Sequence, residues 1–229
     1  MADGPKDVSH PSTRSGRTRE ASAQRRERER KDTEALILEE ARALLVKRGY
    51  PDFSLREVAE RIGYSATTIY RYFENKDDLV LQILRGAFGD FNRALHEALS
   101  SHSDPWERLS ASGRAYARFA LERPEHYRLM FMERCDLFLQ VADEAGVPEP
   151  SPHTEDFKAG LYAVRDLLAE GMASGVFRKG DADRWSHFLW AHLHGVMALH
   201  IGMEHAMDRQ WVEGMVVQME QVIRTALEP

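Results

Sequence analysis

An all-α fold of about nine helices is predicted by three observations. Apolar residues recur at intervals of three and four through most of the 229-residue chain. No alternating strand pattern or hairpin dipeptide interrupts them. Helix starts and stops, in the form of capping residues, prolines and glycines, fall between the periodic stretches.

Residues 1 to about 22 are rich in Ser, Pro, Gly, Thr and charge, without apolar periodicity. Such a segment is expected to be disordered. Arg25-Arg26-Glu27-Arg28-Glu29-Arg30-Lys31 follows. It reads either as a solvated helix extension of mixed charge or as an arm laid along a phosphate backbone or into a minor groove. In the second case Arg28 and Arg30 are the candidate contacts. The first firm helix is expected from about Asp32 to Arg48, on the stripe Ile37, Leu38, Ala41, Leu44 and Leu45. Gly49 stops it.

Phe53 to Leu79 reads as two short helices meeting at a glycine. Ser54 starts the first, and Glu57 three residues on suits a capping box. Leu55, Val58, Ala59 and Ile62 form its apolar face. Gly63 ends it, because glycine takes a left-handed turn without steric cost. Ser65 caps a second helix, Ala66 to about Phe73, with Ile69 and Phe73 inward. Ala66, Thr67, Thr68, Tyr70, Arg71 and Tyr72 are left on or near the outside. Small residues, hydroxyls, phenols and one arginine suit close approach to phosphates and base edges, and a capped N-terminus suits an anion. Helix, turn and such a second helix is the arrangement that reads a DNA major groove. A small αα-hairpin with a polar face fits the spacing equally well.

The combination resembles the DNA-binding domain of the TetR family of bacterial transcriptional repressors over roughly residues 33–85. The matching residues are Gly49-Tyr50, Phe53-Ser54-Leu55-Arg56-Glu57-Val58-Ala59, Gly63, Ser65, Thr68 through Phe73, and Asn75-Lys76-Asp77-Asp78-Leu79. The resemblance implies that Ser54, Arg56, Ser65, Ala66, Thr67, Thr68, Tyr70, Arg71, Tyr72 and Lys76 contact DNA. Arg56 would reach a base edge, its fork matching guanine O6 and N7, and Lys76 a phosphate. Ala66 and Tyr72 depart from the family's commoner residues, which bears on the base sequence read.

The net charge of −6 argues by itself against a nucleic-acid binder. Its distribution does not. Residues 1–31 hold nine Lys/Arg against five Asp/Glu, whereas 32–79 are at −3 and 80–229 at −7. A protein that presents one end to DNA would be built this way. The expected domains are therefore a basic arm (1–31), a three-helix head (32–79) and a larger helical body (80–229). No apolar run approaches the roughly 20 residues of a membrane span. The N-terminus lacks a secretory pattern, and Cys135 is the sole cysteine, so no internal disulfide can form. A cytoplasmic location is expected.

Behind the cap Asn75, a fourth helix should run to about Ser100 on Leu79, Val80, Ile83, Leu84, Phe88, Phe91 and Leu95. Asp104-Pro105-Trp106-Glu107 starts another, which Arg123-Pro124 breaks. Further helices are expected over Glu125 to about Val141, Phe157–Ser174, Trp185 to about Met207 and Trp211 to about Leu227. A loop over Asp143–Thr154 separates the first two of these.

Methionines and aromatics crowd this half and can line a cavity. The resemblance implies a ligand chamber for an apolar or aromatic effector. Met130, Phe131, Phe138, Tyr162, Trp190 and His194 are the candidate lining, against ordinary core packing. It also implies a homodimer through the last two helices, bound to a palindromic double-stranded operator. Trp190…His194-Gly195 is similar to a signature of one subgroup. The histidines of 185–207 have no pair at the i, i+4 spacing of a chelating helix. No metal, cofactor or enzymatic activity is expected. The expected function is a dimeric, ligand-released repressor. A ligand-independent DNA-binding or architectural protein, or a helical enzyme using that histidine-rich helix, are the alternatives.

Overall fold

The computed structural model describes residues 14–133, 152–203 and 206–229. Nine α-helices and one π-helical turn occur among the described residues, with no strand. The helices are α1 (Arg14–Asp52), α2 (Leu55–Arg61), α3 (Ala66–Ile69), α4 (Lys76–Ser100), α5 (Pro105–Glu122), α6 (Pro124–Arg128), α7 (Pro152–Ser174), α8 (Ala182–Gly202) and α9 (Arg209–Leu227). The π turn, Leu129–Glu133, continues directly from α6. Among the described residues no helix is long and apolar enough to cross a membrane.

Helix α1 corrects the expectation of disorder up to residue 22, because it is already helical from Arg14. The physical reason lies in the charge pattern. Arg25–Glu29, Glu27–Arg30, Glu27–Lys31 and Arg30–Glu34 pair at three- and four-residue spacing, and such pairs support a solvated helix. At Gly49 the backbone leaves the helix, at φ 72° and ψ 169°. A side chain there would be strained, so the chain turns at this glycine. Tyr50 hydroxyl and the Asp77 carboxylate then tie the corner to α4. The α1 residues Ile37, Ala41, Leu44 and Leu45 are buried as expected.

The head forms because α1 packs on α2 and α4, and α2 on α3. Leu55, Val58, Ala59, Ile69 and Phe73 close its core. Gly63 has φ 73° at the turn. The expected capping box does not form, since Ser54 makes no side-chain cap bond. Glu57 instead pairs with Arg48 at 2.9 Å, because the end of α1 brings a cation within its reach. Ser65 does cap α3, accepting from the Thr68 amide at 3.2 Å. The second helix is shorter than expected. After Ile69 the chain tightens into i→i+3 bonds, Arg71 N–H to Thr68 O and Tyr72 N–H to Ile69 O. Thr67, Thr68 and Ile69 are β-branched, and a short tight end suits their low helix propensity.

The body is a bundle in which α4 packs on α5 and α7, α7 on α8, and α9 against both α5 and α8. Asp104 caps α5 through the Glu107 amide at 3.0 Å, with Pro105 in its first turn. Asp181 caps α8 and Asp208 caps α9 in the same way. Helix α7 begins at Pro152, five residues earlier than expected. Helix α8 starts three residues before Trp185 and ends at Gly202, short of Met207, and α9 starts at Arg209. The asparagine–glycine contact between α4 and α7 is tight. Gly160 N–H donates to Asn92 Oδ1 at 3.2 Å, and a Cβ at Gly160 would sit 2.6 Å from Leu95 Cδ1.

Gly160→Val should therefore separate α4 from α7 and destabilise the chain by about 1–3 kcal/mol, the usual cost of overpacking. Urea unfolding of the two proteins checks this. An unchanged midpoint would mean that Leu95 moves aside freely.

Candidate nucleic-acid interface and interior cavity

The outer face of the head is built by α3 and the turn after it. The Ser65 cap holds the N-terminus of α3, with Ser65 Oγ 3.0 Å from Thr68 Oγ1. Thr67, Tyr70 and Arg71 are exposed, Tyr70 at 56 %. Ala66 and Thr68 are half-buried. Tyr72 differs from the expectation of an outer residue, because its ring is half-buried against the core. Arg71 has no ion-pair partner among the described residues. Arg56 projects from α2 at 83 % side-chain exposure, held only by Glu60 one turn on. Pairs this exposed are weak, so the guanidinium can exchange Glu60 for another acceptor.

Lys76 is half-buried rather than free in front of the head. Its Nζ lies 4.1 Å from the centroid of the Tyr50 ring and 3.5 Å from Pro51 O. It therefore stiffens the Gly49–Phe53 corner as well as placing a cation at the start of α4. Arg30, on α1, is occupied by Glu27 and Glu34, and it lies close enough to Tyr72 for the phenol to act on it. Arg28 has no ion-pair partner among the described residues and is exposed. The candidate DNA contacts thus divide into residues with open side chains, such as Arg28, Thr67, Tyr70 and Arg71, and residues already engaged, such as Arg30 and Lys76.

A cavity of about 200 Å³ lies in the body between α4, α5, the π turn, α7, α8 and α9. Of the six expected lining residues, Phe131 and Trp190 line it. Met130 is fully buried in the core instead. Tyr162 lies outside the cavity lining under the Arg165 guanidinium, 4.6 Å from its centroid. His194 stands one layer back, and Phe138 falls outside the described residues. Sequence reasoning missed Phe91, Trp106, Tyr116, Ser186 and Glu220. The available signal was helical spacing: Leu109, Gly113 and Tyr116 share one face of α5, and Ser186, Leu189 and Leu193 one face of α8.

Behind the cavity wall runs a buried polar chain. The Tyr116 and Tyr127 hydroxyls are 2.7 Å apart, and Tyr127 Oη is 2.8 Å from His194 Nδ1. The three side chains form one continuous hydrogen-bonded chain with Tyr127 at its centre. Trp190 stacks on His194, with centroids 5.5 Å apart and planes 20° off parallel. Burial pushes both phenols well above the ordinary tyrosine range. It holds the His194 imidazole below its ordinary range, in keeping with the neutral form. Of the other histidines of α8, His187 bonds to Asp183 O at 2.8 Å and His200 to Met207 O, whereas His192 Nε2 is buried without a hydrogen-bond partner among the described residues.

These imidazoles give the fold an acid limit. Burial lowers His126 as well, followed by the charges of Arg42 and Arg123. The unfolded imidazole titrates near about 6.5. Below that pH the unfolded chain binds protons that the folded chain refuses, so stability should fall as pH drops from about 6.5. His194→Asn keeps an acceptor near the Nδ1 position and should show a smaller loss of urea midpoint between pH 7.5 and 5.5. An equal loss in the variant would assign the effect elsewhere.

Residues 37–83 match the family described as bacterial regulatory proteins, tetR family, and residues 109–218 match a tetracyclin repressor-like C-terminal domain. The chain is 27 % identical over 160 residues to the HTH-type transcriptional regulator Rv1816 of Mycobacterium tuberculosis, covering 66 % of this chain and 62 % of that protein. It is 29 % identical over 127 residues to the HTH-type transcriptional activator FasR of Mycolicibacterium smegmatis, covering 55 % and 58 %. The chain thus spans less than two thirds of the length of either relative. Among solved structures it is similar in fold to the transcriptional regulator FadR of Bacillus subtilis in complex with stearoyl-CoA. There the TM-score is 0.67 at 16 % identity, over 84 % of this chain and 98 % of that one. With its head and its bundle each matched in chain order, this chain belongs to the TetR family of bacterial transcriptional regulators.

Proposed function

We propose that this regulator is a homodimeric repressor that holds a palindromic operator and releases it when a small apolar or aromatic molecule occupies the cavity. In this reading residues 32–79 read DNA, residues 80–229 bind the effector and dimerise, and 1–31 form an arm along the duplex. The observation that carries it is the capped α3, which presents Thr67, Tyr70 and Arg71 to solvent beside an exchangeable Arg56. Arg56 is the base reader, Lys76 a phosphate contact, and Ser54, Ser65, Ala66, Thr68 and Tyr72 shape the same surface.

The dimer is supported by apolar surface on the last two helices. Phe188 and Leu199 on α8, Met203 just past its end, and Val217 and Val222 on α9 are exposed by 44 % to 54 %. Phe188, Gly195 and Leu199 recur at helical spacing along one face of α8. Nothing lies within 4 Å of where a Cβ on Gly195 would sit. A face this apolar calls for a partner, and a two-fold pair would set two heads roughly 34–36 Å or a multiple apart on one duplex. Coupling is supported by the π turn, which carries the cavity residue Phe131 and packs on both α1 and α4. An occupant that moves Phe131 moves the helices that seat the head, so one state would fit both half-sites and the other would not.

Selection from a randomised duplex library should enrich an inverted repeat, and its binding should weaken steeply with salt. Binding without enrichment would support the architectural alternative and overturn this reading. Arg56→Ala should cost about 1–3 kcal/mol and relax preference at one base pair per half-site; preserved preference removes Arg56 as base reader. Phe188→Glu should convert the dimer to monomer in sedimentation velocity at micromolar concentration. A variant that remains dimeric would assign the interface to another face.

A further inference from the structure

Three polar side chains of the cavity wall, Ser112, Ser186 and Glu220, present lone pairs to the space. Ser112 Oγ donates to Leu109 O at 2.7 Å, and Ser186 Oγ donates to Asp183 O at 2.8 Å. Each hydroxyl keeps only lone pairs for an occupant. Tyr116 hydroxyl is engaged with the Tyr127 hydroxyl at 2.7 Å. Glu220, on α9, is acceptor only when ionised. Its Oε1 is buried and makes no hydrogen bond, although Arg114 Nε stands 3.6 Å away as an ion pair. The one cation in the lining, Arg224, lies over the Trp106 ring, 4.8 Å from its centroid.

Size and shape narrow the occupant further. A cavity of about 150 Å³ lined by apolar side chains takes up benzene; this one measures about 200 Å³. Its wall presents flat aromatic surfaces, those of Phe91, Trp106, Tyr116, Phe131 and Trp190. Phe91 meets Tyr116 and Phe131 edge to face, at 5.3 and 5.7 Å. Flat walls of this size match one or two fused rings, whose faces and edges continue the same T-shaped packing. Arg114 already stands beside Glu220 as an ion pair, which favours a neutral donor over an ammonium group.

We infer that the effector is a compact ring compound carrying a hydroxyl donor, a phenol or cyclic alcohol, whose O–H is received by Glu220 Oε1 and the serine oxygens. The inference rests on the cavity being the effector site of the proposed repressor. It separates this chain from a regulator of long acyl thioesters, whose chain exceeds a space of this size.

The test is titration calorimetry of the full chain with 1-naphthol, its O-methyl ether 1-methoxynaphthalene, and stearoyl-CoA. The expected result is binding of 1-naphthol at least about tenfold tighter than of the ether, since one buried acceptor goes unpaired with the ether. Glu220→Ala should bring naphthol and ether within about twofold of each other. Circular dichroism and the urea midpoint confirm that the variant is folded, and Thr225→Ala, on the exposed side of α9 and outside the cavity lining, should keep the preference. Equal affinity for naphthol and ether in the unaltered chain, or binding of stearoyl-CoA alone, overturns the inference. Operator release is followed separately by anisotropy. Naphthol that binds with the expected preference but leaves DNA bound supports the inference and sinks ligand release. Stearoyl-CoA that binds and frees DNA does the reverse.

Discussion

Helix α4 belongs to two cores at once, and that continuity constrains everything else. Leu79, Val80 and Ile83 close the head against α1, while Phe91, Leu95 and Leu99 enter the bundle a few turns later. No glycine or proline that breaks the helix lies between them, so neither core can shift without turning the rod that serves the other. The corner at Gly49 and the Lys76–Tyr50 contact fix the start of that rod against the end of α1. The π turn touches it further along. Head and bundle are therefore coupled by covalent geometry, with side-chain contacts deciding only which of their relative positions is preferred.

Much of this was legible in the sequence because local signals suffice for it. Asp104-Pro105 and Asp181 cap helices through their own side chains, and Gly49 and Gly63 turn the chain where positive φ is needed. Where a signal has two outlets, the sequence could not decide between them. Ser54 and Glu57 have the spacing of a capping box, yet Arg48 arrives from another helix and captures the glutamate. The Arg–Glu run before residue 32 fits a solvated helix as well as a loose arm, and its internal pairs settle it as helix. Tyr72 fits an outer face by periodicity, but the chain tightens after Ile69 and turns the ring inward.

The cavity was the least legible part, for a different reason. Its wall draws residues from five helices and a π turn, so membership depends on how the helices are rotated against one another. Met130 and Phe131 are neighbours in sequence with similar bulk, but one is sealed in the core and the other faces the space. His194 was singled out for its company with Trp190. It ends a buried hydrogen-bonded chain, a role that becomes visible only once Tyr116 and Tyr127 are placed beside it. The close α4–α7 approach at Gly160 matters here too, because it brings Phe91 and Leu95 to the rim.

Two of the four tryptophans, Trp106 and Trp190, stand in the cavity wall, and Trp190 lies face to face with an imidazole. The protein therefore carries its own optical probe at the place where an occupant would sit. The indole emission of Trp190 is sensitive to the ring stacked on it. Molecules entering or leaving that space would be read as changes in intensity and wavelength, without any label attached to the chain.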